Sequence, residues 1–194
     1  MLGVILCGGK STRMGSDKGL LKLHAGTWAQ TAVEKLGALE MCVVLSVNCS
    51  QYRDYSPIFT IEQLVKDNEE LDVHGPLSGV LSVHLKYPQQ DLFVLACDMP
   101  LMENKILSQL LDAYRNNMTY DAFVFTNEGE PEPLCAIYRA IGLAQIVQML
   151  QKGQLTKHSM KFTIEHLDSF SIPLQDEQKR YFRNFNAHAE LNGL

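Results

Sequence analysis

The chain has 194 residues, 46% of them hydrophobic and 20% charged, which suits one compact domain with a full core and excludes disordered, fibrous and repeat architectures. Its formal net charge is -5, and Lys and Arg form no long stripe, so nucleic acid is not expected as a partner. A small anion needs only a few local cations and backbone N–H groups, so that class stays open.

The N-terminus runs from Met1 into Leu2–Leu6, an apolar strand with no basic leader ahead of it. No apolar stretch reaches the roughly 20 residues of a membrane span, so a cytoplasmic protein without a membrane partner is expected. Cys7 to Lys18 reads as a glycine-rich polar loop, and Thr27 to Leu36 as a helix with Trp28, Ala32, Val33 and Leu36 on one face. A strand follows at Met41 to Val47, and a poorly bounded one at Pro57 to Val65, interrupted by Glu62 and Gln63. Gly75-Pro76-Leu77 opens a helix to Lys86, with proline in its first turn.

Leu92 to Ala96 is the clearest strand, ending in Cys97-Asp98-Met99-Pro100, and Lys105 to Arg115 is a helix. Ala122 to Phe125 and Leu134 to Tyr138 are strands joined by the polar, proline-containing stretch Thr126 to Pro133. Ile141 to Leu150 is amphipathic. The remainder holds short elements, including Phe162 to Leu167, and a last helix at Ala187 to Leu191. Alternation of this kind predicts a single three-layer α/β domain, Rossmann-like, with a mostly parallel sheet. The five cysteines (Cys7, Cys42, Cys49, Cys97, Cys135) show no C-x-x-C spacing, which argues against a disulfide framework or a zinc site. Cys42, Cys97 and Cys135 sit within or beside apolar runs and read as buried thiols.

The segment LCGGKSTRMGSDK places Lys10, Arg13 and Lys18 around glycines that let backbone N–H groups approach an anion. It is not a Walker A loop, because Gly9-Lys10-Ser11 would need a glycine where Val4 stands, and no G-x-G-x-x-G occurs. It resembles instead the nucleotidyltransferase signature G-G-x-x-x-R-[MLF]-G-x-[DP]-K, matched by Gly8, Gly9, Arg13, Met14, Gly15, Asp17 and Lys18. Asp98 follows a strong strand, where open α/β sheets place ligand-binding groups. A lone carboxylate there suits Mg2+, which takes few protein oxygens alongside phosphates and water.

Together CDMP, GPLSG and the near-terminal FRNFNAHAEL resemble the molybdenum cofactor guanylyltransferase family, over nearly the whole chain. The resemblance implies the nucleotide-diphospho-sugar transferase fold and transfer of GMP from GTP to molybdopterin, with pyrophosphate released. It implies that Leu6, Cys7, Gly8 and Gly9 line the nucleotide site, that Lys18 meets the phosphates, that Asn48 lies near the nucleoside and that Asp67 contacts GTP. Asp98 is then both nucleotide and Mg2+ ligand. Arg13, Lys18 and Asp98 are the catalytic set, and Asn184 and Asn186 match the paired terminal asparagines, Asn186 near a second metal position. Ala187 and His188 depart from the Thr-Pro that often follows there. In GEPEPLCAIY, Glu132 either touches the pterin or stays a solvated loop glutamate. Leu6-Cys7-Gly8-Gly9 with Gly75-Pro76-Leu77-Ser78-Gly79 sides with guanine. A cytidylyl- or sugar-phosphate nucleotidyltransferase, or a non-catalytic nucleotide-binding regulator, is the alternative. Partner proteins of cofactor biosynthesis are expected to touch it only transiently.

Overall fold

The computed structural model describes residues 1–8, 17–23, 26–183 and 185. Strand β1 (Leu2–Leu6) leads, after residues 9–16, to a 3-10 turn at Lys18–Leu20 and a short antiparallel pair, β2 (Lys22–Leu23) and β3 (Gly26–Thr27). Thr27 caps α1 (Trp28–Gly37) through a reciprocal box with Gln30, which satisfies two backbone donors at the helix start. Next come β4 (Val43–Val47), a one-turn helix α2 (Tyr52–Tyr55), β5 (Leu64–Lys66), α3 (Pro76–Lys86), β6 (Leu92–Ala96) and α4 (Asn104–Asn116). The chain continues through β7 (Ala122–Asn127), β8 (Glu130–Tyr138), α5 (Ala140–Gln151), α6 (Met160–Glu165), β9 (Ser169–Pro173) and α7 (Asp176–Lys179), then a 3-10 turn at Arg180–Phe182.

The main sheet has seven strands in the order β5-β4-β1-β6-β8-β7-β9. Its first four are mutually parallel, β8 runs antiparallel to both neighbours, and β9 pairs in parallel with β7. Successive side chains of a strand point to opposite faces. In β1, accordingly, Leu2, Val4 and Leu6 pack with α3 and α5, while Ile5 packs with α1 and α4. All five residues of β1 are buried, as a parallel strand covered on both faces must be. The expected layers and mostly parallel sheet are therefore present.

Several expected boundaries move. The strand foreseen from Pro57 to Val65 is largely turn, and only Leu64–Lys66 joins the sheet. Ile58 and Ile61 there are exposed while Phe59 is buried, so the apolar residues do not keep the period of two that a strand face requires. The second strand begins at Val43 rather than Met41, and Cys42, expected buried, is exposed just ahead of it. Cys97 and Cys135 are buried.

Thr126 to Pro133 is not a connector. It is the tip of the β7–β8 hairpin, turning at Glu128 and Gly129, whose φ values are 54° and 86°. Two consecutive positive φ angles give the turn whose twist matches that of the paired strands. A register shift between Val124 and Thr126 precedes the pairing of Thr126 with Pro131, and such an irregularity accommodates proline in a strand. The helix expected at Ala187 to Leu191 lies outside the described residues. Among those described, no helix is long and apolar enough to cross a membrane.

Candidate active site

The chain leaves β1 toward β4 and β5 on one side, then returns through α3 to β6 on the other side of β1. The crevice beyond the carboxyl ends of β1 and β6 is thus a topological switch point, where open α/β sheets bind ligands. Gly8 follows β1, Asn48 follows β4, Asp67 follows β5 and Asp98 follows β6, so four of the sequence-selected residues reach one edge. Leu6 and Cys7 are buried in the end of β1. Gly9, Arg13, Asn184 and Asn186 lie outside the described residues.

Lys18 Nζ donates to Asp98 Oδ2 at 3.1 Å, and each side chain keeps about a fifth of its surface, 22% and 20%. An ammonium and a carboxylate that meet in a crevice while staying open to solvent can each turn to a phosphate or a cation. The backbone oxygen of Asp98 accepts from Phe185 N at 3.2 Å. Phe185 is itself buried edge-on against Trp28 and beside Leu21, so this point of the terminal segment is anchored at Asp98.

A cleft of about 680 Å³ opens beside Gly8, with Asn48, Asp67, Gly75 and Ser78 in its wall. Its acidic side comes from Asp67, Glu69, Glu70 and Asp72. Ser46 Oγ donates to Asp67 Oδ1 at 2.8 Å. Burial pushes the Asp67 carboxyl above the usual carboxylate range, and the Ser46 bond opposes that shift. A Cβ on Gly8 would stand 3.4 Å from Asp67 Oδ2, in contact with the oxygen that Ser46 leaves over.

The GPLSG motif reaches this cleft through Gly75 and Ser78, and each of its residues has a reason. Gly75 takes φ 70° ahead of the helix, and Pro76 is the first helical residue, where its missing N–H costs nothing. Leu77 enters the core, and Ser78 lines the cleft. Gly79 passes so close to β4 that a Cβ there would lie 2.2 Å from Ser46 Oγ.

Residues 3–168 match the MobA-like NTP transferase domain. The chain belongs to that family. A protein named "Probable molybdenum cofactor guanylyltransferase" from Geobacillus sp. (strain WCH70) is 30% identical over 201 residues, covering 100% of this chain and 97% of its own. The "Molybdenum cofactor guanylyltransferase" of Campylobacter jejuni (strain RM1221) is 29% identical over 188 residues, covering 96% and 91%. Among solved structures, molybdopterin-guanine dinucleotide biosynthesis protein A from Archaeoglobus fulgidus superposes with a TM-score of 0.76 at 19% identity, over 100% of this chain and 96% of that one. That likeness establishes a shared fold.

This MobA-like domain has a second cleft, about 600 Å³, next to Met99 and lined by Asn127, Glu132, Pro133, Lys161 and Lys179. The two lysines are paired with Glu130 at 2.8 Å and Glu128 at 3.1 Å. Glu132 is half-buried; desolvation raises its carboxyl, opposed chiefly by a hydrogen bond with Asn127. Asn127 Oδ1 is buried without a hydrogen-bond partner, which leaves an acceptor at this wall. Of the two openings left for Glu132, a solvated loop residue does not fit, because it lies within strand β8 and lines this cleft.

Among the described residues no group of three or more His, Cys, Asp and Glu could hold a metal ion. One carboxylate beside a cation nonetheless fits a magnesium ion that draws its other ligands from phosphates and water. The Lys18 ammonium on Asp98 Oδ2 shows that the carboxylate presents an oxygen to positive charge.

Sequence reasoning passed over Ser46, Gln51 and Tyr55. Ser46 carries no motif of its own. Gln51 had a readable signal, since Asn48 and Gln51 cap each other: Asn48 N donates to Gln51 Oε1 at 3.1 Å and Gln51 N to Asn48 Oδ1 at 2.9 Å. That is an i, i+3 box directly after a strand.

Proposed function

We propose that this protein transfers GMP from GTP to molybdopterin, releasing pyrophosphate, and that it does so in the cytoplasm. The observation that carries the reading is the meeting of Lys18 and Asp98 at 3.1 Å beyond β6, the strand that lies between those bearing the two clefts, which we read as one for the nucleoside and one for the acceptor. Support also comes from full-length relatives that bear the guanylyltransferase name.

In the first cleft, Asp67 Oδ2 would accept from a base edge. Guanine offers two adjacent donors, N1–H and the 2-amino group, to a carboxylate, whereas cytosine offers one amino group beside an acceptor. An acidic wall therefore favours guanine. Asn48 has its Oδ1 engaged by Gln51 N and by Ser50 Oγ at 2.6 Å, so its amide N–H2 remains for a ligand acceptor. Leu6, Cys7, Gly8 and Gly9 complete the nucleotide side.

The chemical step is in-line attack by an acceptor phosphate oxygen on the α-phosphorus, breaking the bond to the pyrophosphate. The nucleophile is already an anion, so no general base is needed, and the barrier falls through alignment and charge neutralisation. Lys18 and Arg13 neutralise the departing pyrophosphate. Asp98 would hold Mg2+, with Asn186 near a second position, and a bound divalent cation supplies further neutralisation at the phosphates. In the second cleft Glu132 and Asn127 face the acceptor.

Replacing Lys18 with alanine is expected to lower kcat for GMP transfer by about 100-fold or more, with melting temperature close to that of the parent. A pyrophosphate-release assay with GTP, CTP and UTP, each with molybdopterin, tests the reading. Unchanged turnover in the variant would falsify the role of Lys18, and a preference for CTP or UTP would replace the guanylyl assignment.

A further inference from the structure

Residue Gln51 contacts neither cleft, yet every polar atom of its side chain is used. Its Nε2 donates to the Cys7 carbonyl at 2.8 Å and also to Asp17 Oδ2, and its Oε1 accepts from Asn48 N at 3.1 Å. Cys7 and Asp17 are the two described residues nearest the ends of segment 9–16 apart from Gly8, and they adjoin Gly8 and Lys18. We infer that Gln51 is a positioning residue for nucleotidyl transfer, stapling Cys7 and Asp17 to each other and to Asn48 so that Lys18 is held facing Asp98.

The inference rests on reading this crevice as the nucleotidyl-transfer site. Gln51 is only 8% exposed, and a buried amide is costly unless its donors and acceptor are met. Here the two donations reach groups 44 and 34 positions away in the chain, so the bonds tie Cys7 to Asp17 rather than merely fill the core. Asp17 is gripped from the other side as well, its Oδ1 accepting from Tyr55 O–H at 2.9 Å and Gly19 N at 2.9 Å. Tyr55 is wholly buried, and burial, with lesser contributions from Cys7, Cys97 and Asp17, pushes its hydroxyl far above the usual range, so it remains a donor. Bonds made before a triphosphate arrives lower the cost of fixing Lys18 on it, because Lys18 is the residue directly after Asp17.

Loss of the staple should therefore reach catalysis through Asp17, and a double-mutant cycle reads that directly. In the full chain, Gln51→Met keeps the volume and removes the bonds, and Asp17→Ala removes the shared partner. Each is expected to lower kcat with GTP about tenfold or more, and the double variant should be no worse than the poorer single one. Tyr55→Phe, a conservative change at the opposite side of Asp17, serves if Gln51→Met folds poorly, and it too should add nothing to Asp17→Ala. Effects that multiply, or a parental kcat in the folded single variants, would overturn the inference. Hydrogen exchange at the Gly19 amide reads the staple without substrate: about tenfold faster exchange in Gln51→Met or Tyr55→Phe supports it, and an unchanged rate overturns it. Should the parent protein transfer no GMP while Gly19 exchange still responds, the reading of the reaction fails and the staple stands.

Discussion

Lys18 and Asp98 are 80 positions apart in the chain, and each was chosen from the sequence for its own reason, one from a loop signature and one from its place after a strand. Neither reason required the other, so their contact is independent support for a shared ligand. Asp67 has the clearest energetic consequence. Its carboxyl is held above the ordinary range chiefly by burial, so the native state favours the proton more than the unfolded chain does. The stability this contributes is complete below the unfolded carboxylate pKa and is lost as pH rises through the raised folded one. A charge on Asp67 is therefore one that the fold disfavours through desolvation. Asp67→Asn, which can still accept from Ser46, is expected to melt above the parent at pH 7, with the gap closing toward pH 3, while GTP binding weakens. Calorimetric melts across that range check the sign, and a lower melting temperature at pH 7 would contradict it. Ser46 and Tyr55 were hidden because their roles come from long-range partners, which no local pattern encodes, and of Gln51 only the local box with Asn48 was readable.

At the scale of elements, legibility followed burial on two faces. Strand β6 was read with its observed bounds, Leu92–Ala96, because a strand covered on both sides is an uninterrupted apolar run. Strand β9, half-buried and polar at alternate positions, gave no such run, and prolines disguised the start of β8. Helix α3 joins fold and site most closely, because its Gly79 sets the distance to Ser46 and so to Asp67. Gly79→Ala brings a methyl to within 2.2 Å of Ser46 Oγ, with Leu6 Cδ2 and Ser46 Cβ both at 3.3 Å. Overpacking of this kind costs about 1–3 kcal/mol. Denaturant unfolding should show that loss, and adding Ser46→Ala, which removes the clashing oxygen, should recover part of the stability but not the nucleotide affinity. If stability is not recovered, the clash lies with Leu6 rather than Ser46.

Across the whole molecule, the crevice is assembled by strands from both sides of the switch point, so a nucleotide bound as proposed would bridge β5, β4 and β1 to β6. A ligand that binds only the folded state stabilises it by RT ln(1 + [L]/Kd), about 2.7 kcal/mol at 100 times Kd. For a chain of this size each kcal/mol moves the melting temperature by about 2–4 °C, so saturating GTP with Mg2+ should raise it by about 5–10 °C. CTP shares the triphosphate but lacks the paired donors for Asp67, and should therefore shift the parent less. In Asp67→Asn the preference for GTP should shrink, because the amide presents no second carboxylate oxygen. In Lys18→Ala both shifts should fall together, because the lost contact is to phosphate and common to both nucleotides. Melts of the three proteins with each nucleotide therefore separate base recognition from phosphate recognition. Equal shifts by GTP and CTP in the parent would remove Asp67 from base selection, whereas a base-dependent loss in Lys18→Ala would move Lys18 out of the phosphate site.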